Sequence, residues 1–150
     1  MYGDTERIRR RVSALRDQGA DVRALADQLV ARVEGLGWTG RAAEAMQHRV
    51  TERASHLRAA ADRHVAAADA LGDHAEAVDA ATEEIAAAQA RVTAMVTDAR
   101  SRIASIDERN EAGDGPRITP DPADEVLAAF QPPPPGHRDW LTVDVPGPGR

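Results

Sequence analysis

The chain has 150 residues, a formal net charge of −6 and no cysteine, and its 42% hydrophobic residues include only one Phe, one Tyr and two Trp. A chain of this length forms one domain with a tail, and so few large side chains predict a thin seam between helices rather than a thick globular core. The acidic balance argues against nucleic acid as a partner, because phosphate binding needs a basic surface. The lack of cysteine excludes disulfides, a thiolate nucleophile and zinc–thiolate sites.

The N-terminal residues provide no apolar core of the kind that a cleaved secretory signal needs. No apolar run approaches the roughly 18 residues of a membrane span, so we expect no integral membrane segment. If the protein leaves the cell, we expect it in the medium or the cell envelope by a route independent of a signal peptide. Otherwise it is cytoplasmic.

The first part of the chain predicts one amphipathic helix over about residues 4–35. Asp4 or Thr5 is suited to cap its first turn, and Gly19 falls where another apolar residue is expected. Apolar residues recur at spacings of about three and four, which place them on one stripe. They are Ile8, Val12, Leu15, Val22, Leu25, Leu29 and Val33.

A turn over residues 35–40 separates this helix from the next. Gly35, Gly37 and Gly40 can adopt the positive φ angles that end helices and form tight turns, and we expect Gly35 to stop the first helix. Trp38 is one of the two tryptophans. Because a large ring can fill the open end of a helical hairpin, we expect Trp38 to plug that end.

A second helix is predicted over about residues 41–110, where no proline occurs and apolar residues repeat every seven. One row comprises Ala43, Val50, Leu57, His64, Leu71, Val78, Ile85, Val92, Ala99 and Ile106, and a second comprises Ala54, Ala61, Ala68, Ala75, Thr82, Gln89, Val96 and Ile103. Gly72 and Asp73 would permit a break into a three-helix bundle, but the repeat keeps its phase and leaves no room for a loop. We therefore expect an all-α antiparallel hairpin with a long, continuous second helix and coiled-coil-like packing.

The residues after the second helix predict a short helix followed by a tail. Glycines and a proline over residues 113–116 stop the long helix. Asp121, as a cap, and Pro122, at the first helical position, start a short helix over about residues 122–130. Four consecutive prolines over residues 132–135 then favour polyproline II.

We interpret residues 1–112 as the hairpin domain and residues 113–150 as the short helix with a flexible, extended Pro-rich tail. Trp140 and Leu141 are the largest apolar residues of its last stretch, from His137 to Arg150. They either dock on another protein, as an aromatic beside proline often does, or fold back on the hairpin.

At the turn the chain resembles a known family. A helix, then Trp-x-Gly at Trp38 and Gly40, then a helix that opens Ala-Ala-x-Ala is similar to the small WxG-type (ESAT-6-like) substrates of type VII (ESX) secretion. The similarity runs over about residues 4–99 and rests also on Ala42, Ala43 and Ala45. The resemblance implies two hairpins paired as a four-helix bundle. The family's Tyr-x-x-x-Asp/Glu export element follows the second helix, whereas Tyr2 and Glu6 precede the first, so we interpret them as a coincidence.

Packing independently predicts a partner. The first helix is too short to cover the second beyond about Leu71, and burying a large aliphatic side chain contributes about 1.5–3 kcal/mol. We predict a dimer with a helical-hairpin protein, either a second copy or another chain, and contact with the type VII secretion machinery. The predicted interface comprises Leu57, Leu71, Val78, Ile85, Val92, Val96, Ile103 and Ile106.

No group of residues in the sequence indicates catalysis or metal binding. His48, Glu52 and His56 are four apart on one helix, where they fan around it rather than converge, so we interpret them as solvated. His64 lies in the apolar row, where it sets register or partner choice, reaches out to solvent, or responds to pH. No lysine accompanies the glycines as a phosphate loop requires, and no serine lies on a nucleophile turn. We expect no enzymatic activity and no cofactor or metal.

The sequence thus predicts a non-enzymatic helical hairpin, similar to type VII secretion substrates, that pairs with another hairpin for export. One alternative is a cytosolic coiled-coil adaptor that is not exported. Another is the targeting or chaperone component of a type VII toxin system whose effector is a different chain.

Overall fold

The computed structural model describes residues 2–113 and 115–145, with side chains from residue 5 onward, and it contains no strand within these ranges. Its helices are α1 (Tyr2–Gly35), α2 (Arg41–Ala112) and α3 (Pro122–Ala128), followed by one 3-10 turn (Arg138–Leu141). Helices α1 and α2 pack as an antiparallel hairpin, which confirms the predicted fold class. The end of the predicted tail, residues 146–150, and Asp114 of the predicted helix stop lie outside the described residues.

The chain divides into two compact units, Met1–Asp79 (unit 1) and Ala80–Arg150 (unit 2). The division falls inside α2, whereas the sequence places the domain boundary after Ala112. Helix α2 is unbroken at Gly72, as predicted. A Cβ added at Gly72 would meet nothing within 4 Å, so this glycine only lowers the helix propensity, by about 1 kcal/mol.

The two ends of α1 differ in how well the sequence predicts them. The helix ends at Gly35 as predicted, but it begins at Tyr2, ahead of the two predicted caps. Thr5 is inside the helix and 3% exposed, so it belongs to the packed face. Positive φ occurs at Gly37 (61°) and Gly40 (101°) rather than at Gly35, so the chain reverses within the turn itself.

Small side chains form the centre of unit 1, which we call the small-residue seam. Its buried residues lie seven apart in both helices: Thr5, Val12, Gly19 and Ala26 in α1, and Ala54, Ala61, Ala68 and Ala75 in α2. A Cβ added to Gly19 would lie 3.2 Å from the backbone oxygen of Ala61. The two backbones therefore approach closely, and the core is as thin as the composition predicts.

The C-terminal segment folds back onto α2 in unit 2, and we call residues 121–145 the clasp. Trp140 is 3% exposed and forms a buried cluster with Ile85, Ala88, Val92 and Val96; the half-buried Phe130, Val143 and Val145 pack against this cluster. Of the two alternatives that the sequence leaves open for Trp140, the structure shows the one in which it folds back on its own chain. The reason is that the indole finds an uncovered apolar face on α2 and is buried there.

Candidate functional site

The turn between α1 and α2 holds Trp38 at the tip of the hairpin. The amide of Leu36 donates to the Val33 carbonyl (3.3 Å) and closes α1. The amide of Glu44 donates to the Gly40 carbonyl (3.0 Å) and opens α2. Both helix ends are thus tied by backbone hydrogen bonds, and they hold the short turn from either side.

Trp38 does not plug the hairpin, so this prediction is wrong. It is 61% exposed, whereas Ala43 and Val50 are the buried apolar residues of this end of α2. Leu36, two residues before Trp38, and Met46, in the second turn of α2, are exposed as well. An exposed indole is a type of side chain that anchors protein interfaces.

One side of the hairpin carries a ladder of ion pairs between α1 and α2. Arginines seven apart on α1 supply most of it, and the pairs are Arg9–Asp79, Arg16–Asp69, Arg23–Asp62 and Asp27–Arg58. The paired side chains are largely exposed to solvent, so each pair contributes at most about 1 kcal/mol. The ladder matches opposite charges when the two helices run antiparallel, and it therefore favours this arrangement.

The opposite side of the hairpin is apolar. A helix turns 100° per residue, so a residue one or four positions after a seam residue lies on one side of the helix. The ladder residues occupy these positions. A residue three positions after a seam residue lies on the other side. Those positions hold half-buried large side chains: Ile8, Leu15, Val22 and Leu29 in α1, and Leu57, His64, Leu71 and Val78 in α2. In an antiparallel pair the two rows lie on the same side. We call them the apolar stripe.

His64 interrupts the apolar stripe with a polar ring. Its Nδ1 is buried and has no hydrogen-bond partner, and its Cβ would lie 3.3 Å from a Cβ added to Gly19. The close backbone approach at Gly19 thus brings α1 against the Cβ of His64. Its predicted roles in register, partner choice or pH response stay predictions.

The predicted interface residues fall into two groups. Three lie on the apolar stripe of unit 1: Leu57, Leu71 and Val78. Under the clasp lie Ile85, Val92 and Val96, which are 8%, 2% and 7% exposed, while Ile103 and Ile106 are half-buried. The expectation that Ile85, Val92 and Val96 are left exposed for want of a covering helix is therefore wrong, because the clasp buries them. The clasp, in which only α3 and the 3-10 turn are helical, lies where a partner helix was expected.

Polar contacts fasten the start of the clasp to α2. Arg102 donates two hydrogen bonds to the Asp124 carboxylate (2.8 and 2.5 Å), and Arg100 donates to the Ala128 carbonyl at the end of α3 (3.2 and 3.1 Å). The hydrogen bonds from Arg102 hold the pKa of Asp124 below its ordinary value, against the opposing effect of desolvation. As predicted, Asp121 caps α3, because its side chain accepts a hydrogen bond from the Ala123 amide.

The later part of the clasp is held by burial and by two further hydrogen bonds. The Gly136 amide donates to the side-chain oxygen of Gln89 on α2 (3.1 Å). The indole Nε1 of Trp140 donates to the Pro134 carbonyl (2.9 Å), so the buried ring leaves no unpaired polar atom. Of the two predicted docking residues, Trp140 folds back on its own chain, whereas Leu141 is 47% exposed.

The described residues hold no group of three or more His, Cys, Asp or Glu side chains arranged to bind a metal ion. His48, Glu52 and His56 lie exposed along α2. Among the helices described, none is both long enough and apolar enough to cross a membrane.

The comparison with protein families assigns the chain. A family model described as "Putative T7SS secretion signal domain", where T7SS is the type VII secretion system, matches residues 1–129. This range contains α1, α2 and α3 and leaves out the part of the clasp from Phe130 onward. Neither a curated protein nor a solved structure shows significant similarity to the chain. The match agrees with the type VII route that the resemblance implies, without extending to the WxG type, and the chain belongs to the family of type VII secretion signal domains.

Proposed function

We propose that this chain is a type VII secretion substrate whose folded hairpin is itself the export signal, with no enzymatic activity of its own. The observation that carries this proposal is the family match over residues 1–129. The route that it implies uses no cleaved signal peptide and ends in the medium or the cell envelope.

Pairing with a second helical hairpin is the finer part of the proposal. The apolar stripe supports it, because a matching stripe on another hairpin would complete a four-helix bundle. Fully burying a large aliphatic side chain stabilises a complex by about 1.5–3 kcal/mol. The stripe residues are already half-buried, so each would contribute less than this to pairing. Summed over the stripe, the gain is several kcal/mol, part of which offsets the entropy lost on association.

The hairpin tip supports recognition by the secretion machinery. Trp38 is 61% exposed and lies between two helix ends that are tied by hydrogen bonds. A tryptophan at the centre of an interface contributes about 2 kcal/mol or more. Its removal would therefore weaken binding by about thirtyfold while leaving the buried seam intact.

The test is export of the tagged chain from a host with a working type VII system, compared with a strain that lacks the secretion ATPase. We expect the chain in the medium only when the ATPase is present, and a strong reduction for Trp38→Ala. Leu25→Ala is the matched control, because Leu25 is a similarly exposed apolar residue of α1 (56%) outside the turn. Equal appearance in both strains, or retention in the cells of both, would contradict the export signal, and retention would favour the cytosolic adaptor.

The pairing is tested separately by the solution mass of the purified chain, alone and mixed with a small hairpin protein from the same secretion locus. We expect a dimeric mass in one of the two samples, and its loss in Leu71→Glu. A chain that stays monomeric in both samples would overturn the pairing and leave the export signal to be judged on the secretion assay.

A further inference from the structure

Beneath the clasp, α2 carries a face of the kind that binds another helix. Its buried residues are Ile85, Ala88, Val92 and Val96. Ile85 and Val92 continue the row of the apolar stripe on α2, and Val96 continues the row of seam alanines. The face therefore has the seven-residue spacing that packs on a helix, whereas residues 129–137 of its cover are not helical.

Two arginines flank this face, and the clasp supplies negative groups for both. Arg102 binds the Asp124 carboxylate. Arg100 binds the Ala128 carbonyl, which belongs to the C-terminal, negative end of the α3 dipole. An occupant with acidic groups at these two positions would restore the contacts that both arginines make with the clasp.

The side chains of the clasp that cover the buried cluster lie beyond the residues that match the family. The match ends at residue 129 and includes the buried Leu127 of α3, whereas Phe130, Trp140, Val143 and Val145 pack at the cluster. The match therefore does not include the residues that cover this face.

We propose that the clasp is an intramolecular cover over a second helix-binding face, and that it competes there with a partner's amphipathic helix that carries acidic residues beside its apolar row. The complementary charge of Arg100 and Arg102 selects an acidic helix over a basic one. Because binding needs the open state, a closed clasp lowers the apparent affinity by the fraction of molecules that are open. The inference goes beyond the export signal and does not depend on it.

The experiment uses the full chain and two synthetic amphipathic helical peptides of about four heptads. Both peptides have the same Leu/Ile seam, flanked by Glu in one and by Lys in the other. Labelled peptide is titrated with the unsubstituted chain, with Trp140→Ala to open the clasp, and with Leu141→Ala as the control from the same turn. We expect Trp140→Ala to bind the acidic peptide about tenfold to a hundredfold more tightly, and Leu141→Ala to behave as the unsubstituted chain.

Two further variants keep the proposal testable whether or not Trp140→Ala folds fully. Arg102→Glu, added to the open chain, should remove the preference for the acidic peptide. In Trp38→Phe, where Trp140 is the one indole left, the acidic peptide should make Trp140 accessible to a collisional quencher. Equal affinity with and without Trp140, no effect of Arg102→Glu, or a Trp140 that stays protected while peptide is bound would each overturn the proposal.

Discussion

Helix α2 is covered in different ways in the two units. In unit 1 another helix covers it through small residues, and the large aliphatic side chains are displaced to one side, where they form the apolar stripe. In unit 2 the irregular clasp covers it through one large indole, and the large aliphatic residues beneath are buried. A small-residue seam therefore leaves apolar surface beside it that a partner could bind, whereas an aromatic clasp buries the corresponding surface.

Packing free energy is distributed differently as a result. The seam of unit 1 spreads its contacts over many residues, each of which buries little area. The cluster of unit 2 depends on Trp140, the only large aromatic side chain that it buries fully. Single substitutions should therefore separate the two units.

The largest effect is expected for Trp140→Ala. Truncating a buried tryptophan costs about 3–5 kcal/mol, and we expect this loss to appear as faster amide hydrogen exchange around Val92 and in the clasp. Exchange around Ala61 in unit 1 should stay unchanged. Leu141→Ala, half exposed in the same turn, is the control and should have little effect. Faster exchange throughout the seam of unit 1 would show that the stability of unit 1 depends on Trp140 as well.

A pair of glycine substitutions sharpens the description of unit 1. A side chain at Gly19 would press on the Ala61 oxygen and on His64, so Gly19→Leu should destabilise the hairpin by about 1–3 kcal/mol through overpacking. Gly72→Ala meets open space and should stabilise the helix by about 1 kcal/mol. Thermal unfolding followed by circular dichroism measures both. An unchanged or raised melting temperature for Gly19→Leu would show that the seam is looser than described.

The smallest effect concerns the ion pair of the clasp. Arg102 lowers the pKa of Asp124 below its ordinary value of 3.8, so the pair contributes its full stability above about pH 5 and loses it as the pH falls through the lowered pKa. Quenching of Trp140 in Trp38→Phe should therefore rise slightly on acidification towards pH 3. Asp124→Asn should abolish this part of the pH dependence, and an identical profile in both chains would exclude the pair as its source.

The sequence predicts the fold well where periodicity is strong. The seven-residue repeat, the lack of proline and the glycines of the turn are enough to predict two long helices and the turn between them, because these signals are local. The clasp has no period, so its docking depends on the fit of one indole to a distant face. That is a tertiary contact, which local patterns do not predict.

The candidate site was predicted only in part for a related reason. In α2, the row that contains Leu57 and Leu71 and the row that contains Ala54 and Ala61 both repeat every seven residues. Hydrophobicity alone therefore predicts that the row with the larger residues lies at the centre of the contact between the helices. In the structure the alanines lie at the centre of this contact instead, because the residues of α1 that face them, such as Gly19 and Ala26, are small. That signal is present in the sequence, as small residues seven apart on both helices. The exposure of Trp38 has no comparable signal.

The ladder and the seam of unit 1 share a translational symmetry. Sliding α1 by seven residues would set Arg16 opposite Glu76 and Arg23 opposite Asp69, and it would again place small residues against small residues. The side chains are therefore compatible with more than one register of α1 against α2, and these registers differ by seven residues. The turn over residues 36–40 selects among them by its length alone. An insertion there would allow α1 to shift by seven residues along α2. In a chain cut at the turn, nothing would favour the original register over the shifted one.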